Sequence, residues 1–286
     1  MAETPDTADI REYLWGVESL GDVPAGAASA AATALEYHCN RMNEPATNLS
    51  TLFIHYNARL ASGDADKNCG TTIEAAMKAV VTHGACPENL WPFDPSKVTT
   101  RPAQQAYDAA KKFSHVQYYS PSDLFEALSK HYPVPFICSL PQKLLDEAGR
   151  TGSMRTPSAD EMRSGLHHHA MVLVAYDKRA GTFVARNCWG KDWGNEGHCT
   201  IPIDAFNLIT PPNSGRTWIF ATPSPVVKDI PAAAPAVSSY APAAQQPERI
   251  SDLAAKMKEE IRDSLKKDME EAQKRIRDMM KKPGQQ

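Results

Sequence analysis

The sequence lacks the features that would place it in a membrane or send it across one. Its start, MAETPDTADIREYLWGV, has neither the basic n-region nor the apolar core of a secretory signal. No run approaches the roughly 18 apolar residues of a membrane span, and the longest, such as Met171 to Tyr176, suit buried strands. A charge surplus is missing too. The chain carries 31 Lys and Arg against 34 Asp and Glu, a net of -3, which excludes a general electrostatic partnership with nucleic acid. Six cysteines are present (Cys39, Cys69, Cys86, Cys138, Cys188 and Cys199), yet none sits in a C-x-x-C or H-x-x-x-H spacing. No zinc site and no other cofactor is therefore expected. With no signal ahead of them, these thiols are expected free and mostly buried in a reducing, cytoplasmic or otherwise intracellular setting.

What remains is an ordinary globular composition, 42% hydrophobic and 23% charged, on 286 residues. That length suits one full-sized domain with an appendage. Residues 1–10 are polar and contain proline, and read as a flexible lead-in. From 11 to 222 the pattern is that of one compact α+β domain, helices first and strands later, in two lobes of about 11–110 and 111–222. Helices are predicted over Ala25–Met42 (alanine-rich), Leu49–Leu60, Thr72–His83 and Leu124–His131, the last capped by Ser122 or Asp123. Strands are predicted over Val134–Leu140 (its prolines keeping it at an edge), Ala170–Tyr176, Thr182–Asn187, His198–Ile203 and Thr217–Ala221. Asp177 to Gly181 forms the turn between the second and third.

Beyond 222 the composition changes. Residues 223–247 are rich in Pro, Ala and Ser and read as an extended linker. Residues 248–286 are highly charged, with Ile250, Leu253, Met257, Ile261, Leu265, Met269, Ala272, Ile276 and Met279 in steps of three and four that put them on one stripe of an amphipathic helix. Two readings stay open: a solvated helix held by Glu–Lys pairs one turn apart, or a coiled-coil or docking helix that self-associates or binds a protein partner. Its eleven Lys and Arg are interspersed with nine Asp and Glu, which speaks against a membrane-surface helix.

Three stretches carry the chemistry. One is His167-His168-His169-Ala170-Met171-Val172, running on to Tyr176. Another is Arg186-Asn187-Cys188-Trp189-Gly190, followed by Trp193-Gly194 and Gly197-His198. The third is Gly84-Ala85-Cys86-Pro87, running to Asp94. In this order they resemble the papain-type cysteine peptidases, bacterial-type members included. The most specific element is a double Trp-Gly around an Asn that lies 18 residues after the His. The resemblance implies a two-lobed papain-like fold. It also implies a site in which a thiolate attacks a peptide carbonyl, His169 moves the proton, Asn187 orients the imidazole, and Trp189 covers their hydrogen bond.

The nucleophile that the resemblance calls for is absent. In the family it opens the long helix of the first lobe. Aligned without gaps, Val17 to Gly26 runs into Ala27–Tyr37 and puts Gly26 at the nucleophile's position and Leu20 at that of the oxyanion-hole Gln. His169 follows Gly26 by 143 residues, the usual spacing. A glycine has no attacking atom, and a leucine has no hydrogen to donate to an oxyanion. No Cys lies before Cys39, which belongs at the far end of the helix, about 20 Å away. Ser29 points along the helix, Ser19 precedes the turn, and Cys188 replaces the family's Ser as a buried, inert thiol. The three consecutive histidines would place His167 and His169 on one strand face and His168 on the other. No carboxylate at a telling spacing supports a metal there.

The resemblance therefore leads us to expect a pseudopeptidase. It would act as a protein-binding, scaffold or structural assembly component, including one in a virus particle, through its cleft and its tethered helix. The alternative from another class is a hydrolase with a non-standard nucleophile and His169 as its base. Loss of the oxyanion Gln together with the Cys weighs against it.

Overall fold

In the computed structural model, residues 4–41, 48–114, 116–163, 165–212 and 214–221 are described. The linker expected over 223–247 and the helix expected over 248–286 lie outside them.

The centre of the domain is α1 (Gly26–Arg41), of whose 16 residues 13 are buried. Six alanines in its first nine residues explain this. A helix without bulky side chains can be covered on every side. It is packed by α2 (Thr51–Ala61) and α3 (Ile73–His83) on one flank and by the sheet on another. The starts of α2 and α3 are set by capping hydroxyls. Ser50 Oγ accepts from the Phe53 amide at 3.1 Å and Thr72 Oγ1 from the Ala75 amide at 3.0 Å. Leu49 thus precedes its helix rather than opening it, bridging instead to Pro87.

Gly84 ends α3 at φ +76°, and a Cβ there would lie 1.7 Å from the Ala110 carbonyl oxygen. Only glycine fits both the backbone and the space. Gly84→Ala is expected to destabilise the domain by about 3 kcal/mol or more, measured by urea unfolding.

The sheet is built around one long strand. β1 (Thr7–Asp9), β2 (Gln117–Tyr119) and β3 (Val134–Pro141) precede β4 (Leu166–Asp177), and β5 (Thr182–Arg186), β6 (His198–Pro202) and β7 (Ile219–Ala221) follow it. β4 pairs antiparallel with β3 along its first half, with β1 at its far end, and with β5, which in turn pairs with β6. β2 and β7 form a separate pair. The prolines of β3 do sit at a sheet edge, where the Pro135 carbonyl accepts from the Trp218 amide. Ile10, α1–α3 and both faces of β4 contribute to one continuous hydrophobic core.

Several expectations need correcting. The lead-in is not loose throughout: Thr7–Asp9 is a strand paired with Ala175–Asp177, and the Tyr176 hydroxyl donates to the Pro5 carbonyl. Three residues are too few to show a period, and what orders them is β4, far along the chain. The helix predicted to His131 is α5 (Leu124–Ser129), capped by Asp123, which accepts from the Phe125 and Glu126 amides. It stops because His131 is left-handed, at φ +64°. Three short helices were not anticipated: α4 (Gln104–Ala110), α6 (Gln142–Thr151) and α7 (Ile203–Ile209). For α6 the signal was present, with buried Leu144, Leu145 and Ala148 on one face and Gly152 as a left-handed C-cap.

Candidate active site in the cleft

The site is assembled from three segments. On the way to α1, residues 18–20 run antiparallel to residues 188–190. The Leu20 amide donates to the Cys188 carbonyl at 3.2 Å and the Gly190 amide to the Glu18 carbonyl at 2.8 Å, with Ser19 bridging Trp189. Gly21 turns the chain at φ +52°, and α1 then begins at Gly26. β4 brings His169, and the segment after β5 brings Asn187 and Trp189.

His169 Nε2 lies 2.7 Å from Asn187 Oδ1. That oxygen also accepts from the Cys188 amide at 2.8 Å, while the Asn187 amide donates to the Gly197 carbonyl. A carboxamide oxygen held by two donors has one orientation, so Nε2 carries hydrogen and Nδ1 is the ring's free lone pair. Trp189 covers the pair, its ring centroid 4.5 Å from that of the imidazole, and Trp193 packs edge-on against Trp189. Burial holds the imidazole below its ordinary pKa, the Asn187 bond acting the other way.

Across the cleft stands Gly26. A Cβ built there would meet Ala170 Cβ and Cys188 Sγ, each at 3.6 Å. These are ordinary contacts, so a side chain would fit beside the strand that carries His169. Leu20 is buried in a small apolar cluster with Val23, Ala25, Leu52, Val98 and Cys188. Gly26, Leu20, His169, Cys188 and Trp189 line one cavity of about 590 Å³. Ser19, Ser29 and Cys39 are not among its lining residues. Cys188 is, but burial pushes its thiol up to about 12, with the nearby Glu18 adding to the effect, so it is protonated at neutral pH.

None of the six cysteines is in a disulfide, and five of them are buried. His167 and His168 also line the cavity, where His168 Nδ1 pairs with Ser139 Oγ at 2.9 Å and Arg216 donates to the same hydroxyl at 2.7 Å. Among the described residues no group of three or more His, Cys, Asp and Glu is placed to hold a metal ion. None of their helices is long and apolar enough to cross a membrane.

Behind the site lies an ionisable cluster that the sequence reading missed. Arg186, 5% exposed, donates to the carbonyls of Trp15 at 2.6 Å and Gly16 at 2.8 Å. Two acids, Glu36 and Glu18, face it, and a third, Glu88, faces them. Glu36 accepts from the Leu49 amide at 2.7 Å, Glu18 from the Thr51 hydroxyl at 2.8 Å, and Glu88 from the Phe93 amide at 2.5 Å. Burial raises all three, Glu36 to about 8 and Glu88 to about 7. A lone Glu in an alanine-rich helix was the available signal.

Glu36 titrates near 4.5 when unperturbed and near 8 when folded. Its contribution is therefore fully present below pH 4.5 and is lost as pH rises towards 8. Glu36→Gln keeps the acceptor for Leu49 and removes the ionisation. Between pH 5 and 8 it is expected to flatten the fall in stability by up to about 1.4 kcal/mol per pH unit, measured by denaturant unfolding across that range.

A strand histidine oriented by an asparagine, roofed by tryptophan and set against the head of a central helix is the layout of a cysteine-peptidase cleft. The family model described as papain family cysteine protease matches residues 4–208. The chain belongs to that family. An uncharacterized peptidase C1-like protein of Acanthamoeba polyphaga mimivirus is 25% identical over 213 residues, covering 68% of each chain. Two solved structures share the fold. Xylellain, a cysteine protease from Xylella fastidiosa, has TM-score 0.67 and 23% identity over 77% of this chain and 87% of its own. The digestive procathepsin L 3 of Tenebrio molitor larval midgut has TM-score 0.60 and 16% identity over 77% of this chain and 71% of its own.

Proposed function

We propose that this chain is a papain-family pseudopeptidase that holds peptide or protein segments in its cleft without cleaving them, as a binding or assembly component. The observation that carries this is Gly26. It stands at the head of α1 in the cavity that His169 lines, and its backbone offers no atom able to attack a carbonyl. On the gapless alignment Gly26 and Leu20 take the two positions the chemistry needs, nucleophile and oxyanion donor, while His169, Asn187 and Trp189 take those of the pair and its cover. That pattern supports binding over altered chemistry. The relative from a virus is compatible with a role in a particle, as is the helix expected from the sequence over 248–286, which would dock on a partner.

The rival reading is a hydrolase with His169 as base and an unusual nucleophile. The oriented Asn187–His169 pair favours it, since a base is still present. Hydrolysis of a broad fluorogenic peptide panel separates the two. No cleavage by wild type is expected. Cleavage by wild type that His169→Ala abolishes would replace the binding reading with the hydrolase.

A further inference from the structure

Loss of the nucleophile alters the electrostatics of the cleft as well as its chemistry. In a member with its cysteine, the head of the central helix and the imidazole together hold an anion, the thiolate. Here the positive side of that arrangement remains and its anion is gone. α1 is 16 residues long, has no acidic residue in its first turn, and begins at Gly26. Its first amides have no carbonyl within the helix to reach, and Gly26 and Ala27 line the cavity. His169, half-buried on the wall of the same cavity, supplies an independent pointer. With Nε2 committed to Asn187, Nδ1 is the ring atom left for the cavity, and it has no partner among the described residues. The absent side chain at 26 leaves room there, bounded by Ala170 Cβ and Cys188 Sγ at ordinary contact distance from a built Cβ.

We propose that the cleft takes the free C-terminal carboxylate of a peptide, seated against the head of α1 and His169 in the volume that a nucleophilic side chain at position 26 would fill. This rests on the reading that the cleft binds peptides, and it names their class: chains that end in the site rather than run through it. One carboxylate oxygen accepts from the first amides of α1. The other accepts from Nδ1–H of an imidazole that takes up one proton as the ligand binds. Asn187 bonds the ring and Trp189 packs on it. Among the described residues no ionised side chain shifts it, only burial and the Asn187 bond. Carboxylate contact is therefore the one event that would favour the imidazolium.

The test is fluorescence polarisation of the full chain with two labelled pools of randomised hexapeptides, one ending in a free acid and the other in an amide. The free-acid pool is expected to bind at least tenfold more tightly. Gly26→Asp, which supplies a carboxylate from the chain itself, is expected to level the two pools and to raise the His169 pKa seen by NMR of the ring. Equal binding of both pools to wild type overturns the carboxylate inference and leaves the peptide-binding reading standing. Binding of neither pool overturns both.

Discussion

The double variant Leu20→Gln/Gly26→Cys is expected to hydrolyse peptides that the wild-type chain leaves intact. On the proposed reading the reaction's other parts are His169, Asn187 and the head of α1. His169 is held by Asn187 at 2.7 Å with Nδ1 free to take a thiol proton. Position 26 opens a long helix whose amides stabilise a thiolate. A Cβ there meets its neighbours at 3.6 Å rather than clashing. The thiolate attacks the carbonyl, the imidazolium returns its proton to the leaving amine, and water then releases the acyl group. Gly26→Cys alone should be about 10²- to 10³-fold slower than the double variant, because the oxyanion lacks its side-chain donor. One competing reaction is foreseeable. Cys188 Sγ lies 3.6 Å from the Cβ position at 26, close enough for a disulfide that would silence the new nucleophile. Activity is therefore to be measured in reductant and again with Cys188→Ser. A folded triple variant without turnover would mean that position 26 is not where the nucleophile belongs.

The second large effect is on stability. Arg186→Met is expected to lower stability by about 3–5 kcal/mol, a fall of roughly 10 °C in melting temperature for a domain of this size. The guanidinium is buried, bonds the Trp15 and Gly16 carbonyls, and is the counter-charge to Glu18 and Glu36. Removing it strands two carbonyls and takes from buried Glu18 the charge that favours its ionised form. Adding Glu18→Gln to the variant should restore part of the loss, since it removes a buried acid that has lost its counter-charge and that already repels Glu36. Thermal melts of the single and double variants measure both. A loss below about 1 kcal/mol for Arg186→Met would show that the cluster is neutral without it, the acids being protonated.

Much of the fold was legible because its signals are local. The alanine run predicts a helix that can be buried all round, and Thr72 and Asp123 cap where a threonine and an aspartate should. The turn from Asp177 to Gly181 joins the strands on either side of it. The Asn187–His169 partnership was legible only through family resemblance, since neither residue predicts the other from its own neighbourhood. β1 was misread because its order comes from Ala175–Asp177, about 170 residues away, and nothing within Thr7–Asp9 announces that contact. The buried acids were missed for the same reason. Glu18, Glu36 and Glu88 belong to three separate segments, and a charged residue reads as exposed until packing shows otherwise.

The sequence by itself determined what two positions cannot supply. No arrangement of the backbone can put a thiol on Gly26 or a hydrogen-bond donor on the Leu20 side chain, because those are matters of covalent structure. The tertiary structure alone decided what the site keeps: an imidazole with one nitrogen held and the other open, a helix head facing the same cavity, and an arginine among buried acids behind them. Those properties depend on burial and on distances between segments far apart in the chain. Burial and distance set hydrogen bonds and charge, and neither can be read from a residue's neighbours along the sequence.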